Sequence, residues 1–134
     1  MFVPTTKVMV VDDFKTMRKI VINSLSGLGL TNVTEAEDGA DALPILERAA
    51  QDGTPFGLII SDWNMPKLPG IELLKKVRGN ELIKGTPFLM VTAEAEQKNI
   101  LEAVKLGVSN YIVKPFSPQI FQEKLTAVYK KHNP

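Results

Sequence analysis

Five times along this chain a short strand-forming run ends in a polar residue and gives way to apolar residues at helical spacing. The runs are Val8-Met9-Val10-Val11, Val33 to Ala36, Leu58-Ile59-Ile60, Phe88-Leu89-Met90-Val91 and Asn110-Tyr111-Ile112-Val113. Behind them come Met17, Ile20, Val21, Leu25 and Leu28, then Leu43, Leu46 and Ala50, then Leu73, Leu74 and Val77, then Ile100, Leu101 and Val104, and last Phe121, Leu125 and Val128. Strands that are apolar throughout, rather than at every second residue, have both faces covered, and alternation with helices makes the sheet parallel. Right-handed crossovers narrow the topology. A chain of 134 residues is too short for an eight-stranded barrel. The expected fold is therefore α/β, a five-stranded doubly wound parallel sheet, formed as one domain over residues 1–134.

Turn chemistry punctuates these units. Gly27 and Gly29 close the first helix, Glu37-Asp38-Gly39 turns out of the second strand, and Gln51 to Pro55 reads as a loop. Pro44 is expected in the first turn of its helix, where its missing N–H costs nothing. Ser117 is the expected N-cap of the last helix, with Pro118 at its first position. No repeat, linker or low-complexity stretch interrupts the pattern.

Composition removes several function classes. Lys and Arg number 16 against 15 Asp and Glu. This balance, without a polybasic run, argues against a nucleic-acid binder that works by phosphate neutralisation. The absence of cysteine excludes disulfides, thiolate zinc sites and cysteine nucleophiles. The start lacks a signal-peptide pattern and no apolar run has membrane-spanning length, so a cytoplasmic protein without membrane contact is expected.

In a doubly wound sheet, ligands sit outside the carboxyl ends of the strands. Here those ends carry Asp12-Asp13, Asp62, Thr92 and Lys114. Each residue alone has an ordinary reading: Asp12 and Asp13 as helix caps, Asp62 as a turn residue, Thr92 as a strand end or cap, Lys114 as a solvated lysine. Together they form one crevice of three carboxylates, a hydroxyl and an ammonium. Acids so crowded repel unless a cation compensates. All-oxygen donors without histidine or cysteine suit Mg²⁺ better than zinc. A carboxylate is also a competent nucleophile toward phosphorus, and cations on the phosphoryl oxygens stabilise such a transfer. Met65-Pro66 reads as a structural exit from the site, and Trp63 as half exposed. Lys114-Pro115 could hold a cis bond that aims the lysine, trans being the default for such bonds. His132, near the chain end, reads as a solvated tail residue.

Asp12-Asp13, Asp62, Met65-Pro66, Gly70, Thr92 and Lys114-Pro115-Phe116 resemble, in order and over essentially the whole chain, the receiver domains of bacterial two-component response regulators. Asp12 to Arg18, Glu35 to Gly39, Ser61 to Pro66 and Val91 to Ala95 are similar to the family's chemotaxis members. The resemblance implies strand order 2-1-3-4-5. It also implies a stand-alone receiver without an output domain, acting as a signalling monomer and not as an enzyme on external substrates. Asp62 would accept a phosphoryl group from a chemotaxis histidine kinase. Asp13, Asp62 and the backbone carbonyl of Asn64 would ligate Mg²⁺, with Asp12 acting partly through water. Lys114 would contact the phosphoryl group, while Thr92, Tyr111 and Lys124 would serve the switch and the output face. Asn64 and Glu94 would tune dephosphorylation. The implied partners are the kinase and a flagellar motor switch protein, with a phosphatase as a further candidate.

Two alternatives stand beside this. One is a phosphorelay carrier serving a histidine phosphotransfer protein. The other is an aspartyl phosphatase, disfavoured because Asn64 stands where its general acid is needed. The chain departs from the family pattern at Pro69-Gly70, in the length of the Gln51 to Pro55 loop and at Glu96-Gln97.

Overall fold

The computed structural model describes residues 1–93 and 97–134. Five strands, β1 (Val8–Val11), β2 (Val33–Ala36), β3 (Leu58–Asp62), β4 (Phe88–Thr92) and β5 (Asn110–Val113), alternate with five helices. These are α1 (Lys15–Ser26), α2 (Gly39–Gln51), α3 (Gly70–Arg78), α4 (Gln97–Lys105) and α5 (Pro118–His132). The sheet is parallel throughout, in the order β2-β1-β3-β4-β5, as expected.

Side-chain alternation along the strands divides the core in two. Met9, Val11, Ile59, Phe88 and Met90 pack toward α2, α3 and α4. Val8, Val10, Leu58, Ile60, Leu89, Val91 and Ile112 pack toward α1 and α5. Both faces of β1, β3 and β4 are thus buried, which is why these strands read as unbroken apolar runs. On α3, Leu73, Leu74 and Val77 are fully buried, contributing roughly 1.5–3 kcal/mol each before entropy. Phe121, Leu125 and Val128 do the same for α5, whose Ser117 caps the helix by accepting the Ile120 N–H at 3.1 Å.

Three helices turn differently from the spacing estimate. In α2 the Asp38 side chain accepts the Asp41 N–H at 2.9 Å, so the helix starts at Gly39. Pro44 consequently lies in the second turn, on the exposed side, where water can serve the carbonyl its ring leaves without a donor. The buried stripe of α2 is Ala42, Leu46 and Ala49, with Leu43 and Ala50 on its flanks. On α1, Ile20 is 45% exposed, and the inner stripe is Arg18, Val21 and Leu25. On α4 only Ala103 is buried, while Leu101 and Val104 are 50% and 55% exposed. Ala103 is the residue α4 turns into the core, and the larger aliphatics of the expected face are left outside.

Among the described residues, no helix is long and apolar enough to cross a membrane.

Candidate functional site

The strand order reverses between β1 and β3, and their register pairs Val11 with Ser61. The next residue on each strand is therefore an aspartate beside an aspartate, Asp12 and Asp62. Two bonds fix the Asp12 backbone: its N–H donates to Ala36 O at 3.1 Å, and its carbonyl accepts from Arg18 Nη1 at 2.7 Å. The carboxylate is aimed by the Phe14 N–H, which donates to Oδ1 at 2.9 Å. Neither Asp12 nor Asp13 caps α1; the N-cap position is Phe14, without a side-chain bond. Asp13 points to the exposed side of the cluster.

Asp62 ends β3 and is buried. Its Oδ1 accepts the Trp63 N–H at 2.8 Å and is 3.2 Å from Lys114 Nζ. The same ammonium lies 3.5 Å from Asp12 Oδ2. Lys114 follows β5, and its N–H donates to Thr92 O at 2.8 Å, which ties the ends of β4 and β5 together. Thr92 is buried one residue beyond the register partner of Asp62. The Lys114–Pro115 peptide is cis, in place of the default trans.

Oxygens of Asp12, Asp13 and Asp62 lie within 4.8 Å of one another. Burial, opposed by the Phe14 N–H, raises the Asp12 carboxyl above its ordinary value; the Asp62 charge raises it further and Lys114 pulls it back. Converging carboxylates, one of them held against its own burial, fit a hard divalent cation with oxygen ligands.

The loop leaving Asp62 explains the glycine of the motif. Gly70 N–H donates to Trp63 O at 2.9 Å, and a Cβ on Gly70 would overlap the Asp62 carbonyl oxygen. Only glycine lets α3 begin this close to β3. Met65 is buried and Trp63 half-buried, while the Asn64 side chain is exposed at the mouth of the site.

Tyr111 and Lys124 stand apart from the acids. Tyr111 is half-buried against the α2–α3–α4 side of the core, with Lys124 Nζ 4.8 Å from its ring centroid. Glu94 and Glu96 lie outside the described residues. His132 is not a free tail residue: its Nε2 is 2.7 Å from Ser109 Oγ, which also accepts the Phe88 N–H. Arg18, in the sequence only the end of the Asp12 to Arg18 stretch, lies on the buried stripe of α1 with Val21 and Leu25. Its Nε donates to Glu35 Oε1 at 2.9 Å.

The response regulator receiver domain matches residues 8–126 of the chain. Chemotaxis protein CheY of Pseudomonas aeruginosa is 46% identical over 127 residues, covering 95% of this chain and 98% of that one. CheY-3 of Vibrio cholerae is 46% identical over 125 residues, covering 93% and 92%. The solved structure of the Vibrio cholerae chemotaxis response regulator CheY4 superposes with a TM-score of 0.80 at 36% identity, covering 92% of this chain and 98% of that one.

Proposed function

This chain belongs to the response regulator receiver domain family, and from that premise we propose that it is a phosphorylation switch of chemotaxis. The observation that carries the reading is the meeting of Asp12, Asp13 and Asp62 with the Lys114 ammonium, 3.2 Å from Asp62, at the switch point of the sheet. The likeness to chemotaxis regulators over nearly the full length of their chains supports the pathway.

In the proposed reaction the Asp62 carboxylate attacks the phosphorus of a phosphohistidine on the chemotaxis kinase. An O–P bond forms as the N–P bond breaks, and the bonding pair returns to the imidazole nitrogen. Trp63 N–H and Lys114 hold Oδ1 and so orient the carboxylate for attack through Oδ2. Asp13, Asp62 and the carbonyl of Asn64, with Asp12 behind them, would hold Mg²⁺. When bound, the ion neutralises charge on the transferring phosphoryl oxygens. Lys114 then shifts from its acid pair to the phosphoryl group, and Thr92 supplies a hydroxyl from the end of the adjoining strand. Asn64, exposed beside Asp62, would set hydrolysis of the acyl phosphate, the point at which a phosphatase would act; the family resemblance gives Glu94 a part in the same step.

The output surface in this reading is α4 with β5 and α5. Half-exposed Leu101 and Val104 offer it apolar area on α4, and the Lys124–Tyr111 contact joins α5 to β5. Its partner is a segment of the flagellar motor switch, bound more tightly once Thr92 and Tyr111 respond to the new charge.

The test is intact-mass measurement after incubation with a small phosphodonor and Mg²⁺. One labile phosphoryl adduct is expected, absent from Asp62→Asn. No adduct on the wild type, or an equal adduct on the variant, overturns the assignment.

A further inference from the structure

Among the described residues, Arg18 is the one buried cation. It reaches across the back of the acid cluster from α1. Its Nη1 donates to the Asp12 carbonyl at 2.7 Å, and its Nε to Glu35 Oε1 at 2.9 Å, on β2. A lysine presents a single point of attachment, whereas the guanidinium fork makes both bonds in one plane. The burial of Arg18 is offset because Glu35 neutralises it and a backbone carbonyl is satisfied at the same time. Since Glu35 balances its charge, what Arg18 contributes to the acids is position more than field.

Resting on the Mg²⁺ reading above, we infer that Arg18 is a positioning residue for the cation-binding turn, with Glu35 as its brace. The two peptides flanking the Asp12 Cα are both tied, the N–H to β2 and the carbonyl to Arg18. That double tie rotates the following peptide so that the Phe14 N–H reaches Asp12 Oδ1, and it places Asp13 on the open side of the cluster. Without Arg18 the carbonyl has no fixed donor and the turn gains freedom. The carboxylates must then be ordered when the ion binds, and affinity falls. Groups that orient metal ligands from behind typically change affinity 10–100-fold when removed.

The experiment is calorimetric titration of the full chain with MgCl₂, comparing wild type, Arg18→Met, Arg18→Lys, Glu35→Gln and Asp13→Asn. The fold of each is checked by circular dichroism. Arg18→Met is expected to weaken Mg²⁺ about tenfold, and Arg18→Lys to recover part of that loss. Phosphorylation of Arg18→Met by a small phosphodonor is expected to return to within about twofold of wild type at saturating Mg²⁺, because the nucleophile itself is untouched. Should Arg18→Met not fold, Glu35→Gln carries the test, with a loss of about threefold expected from release of the brace. Unchanged Mg²⁺ affinity in the folded Arg18 variants, or in Glu35→Gln in their place, overturns the inference while leaving the Mg²⁺ site standing. Wild type that binds no Mg²⁺, or binding unaffected by Asp13→Asn, overturns the site itself and this inference with it.

Discussion

Replacing Gly70 by alanine tests whether the packing of α3 against β3 places the nucleophile. In an exposed helix, glycine to alanine stabilises by up to about 1 kcal/mol. At Gly70 the sign should reverse. The new methyl would overlap the Asp62 carbonyl oxygen and come within 3.0 Å of the Asp62 carbonyl carbon and 3.1 Å of Met90 Sδ. Met90 can adjust, but the Asp62 carbonyl belongs to the central strand, paired with β1 on one side and β4 on the other. The start of α3 must therefore retreat, stretching the 2.9 Å bond from Gly70 N–H to Trp63 O. Overpacking of this kind costs about 3 kcal/mol, a fall in Tm of about 10 °C for a domain of this length. Gly27→Ala is the control. Gly27 closes α1 in right-handed helical geometry, with nothing nearer than 3.6 Å to an added Cβ. It should gain about 0.4–1 kcal/mol through the unfolded chain. Urea and thermal melts followed by circular dichroism measure both. Phosphorylation of Gly70→Ala, assayed at a temperature where it is fully folded, should also fall at least tenfold, because a displacement near 1 Å costs about 10²-fold in such reactions. A Gly70→Ala protein melting within 3 °C of wild type, roughly the effect of 1 kcal/mol, would refute the reasoning.

Two further outcomes follow from charge placement. Lys114→Met removes an ammonium 3.2 Å from Asp62 and 3.5 Å from Asp12; even in fully solvated surroundings such a contact is worth roughly 1.3 kcal/mol. Calorimetry should therefore show Mg²⁺ bound about tenfold more tightly, while phosphorylation slows for want of the phosphoryl contact, and unchanged or weaker Mg²⁺ binding would contradict the competition. His132 is held below its ordinary ionisation, first by burial and then by the charges of Arg78 and Lys131. The unfolded chain thus takes up a proton that the folded chain refuses. The stability His132 supports is complete above the unfolded value near 6.5 and is lost as pH falls from there through its lower folded value. Urea unfolding at several pH values from 8 to 5 should show the stability difference between wild type and His132→Gln shrinking on acidification, and a pH-independent difference would disprove the assignment.

Much of this molecule was legible before any coordinate because its decisive interactions are local. Each strand polarity, the Ser117–Pro118 cap, and the buried faces of α3 and α5 depend on residues within one or two turns of each other. Parallel topology follows from apolar runs joined by helices, and it brings the strand ends together whatever the side chains do. Motif residues at those ends could therefore be named from order alone.

Other features depend on which surface a helix meets, and the chain does not carry that locally. The stripe of α1 contains both Ile20 and Arg18 at plausible spacings, and only docking beside Glu35 and the Asp12 carbonyl buries the cation and exposes the aliphatic. Apolar spacing in α4 pointed to Leu101 and Val104, yet the helix buries Ala103 and leaves them half exposed. His132 reads as tail until α5 brings it to Ser109, 23 residues away. Cis and trans forms of an X–Pro bond differ by too little for adjoining residues to decide. Asp12 and Asp62 are fifty residues apart in the chain, and what makes them one site is register: Val11 beside Ser61 on parallel strands. Sequence by itself determined which residues end the strands; tertiary structure decided which ends touch, because pairing and burial are long-range and their energies are shared among many contacts.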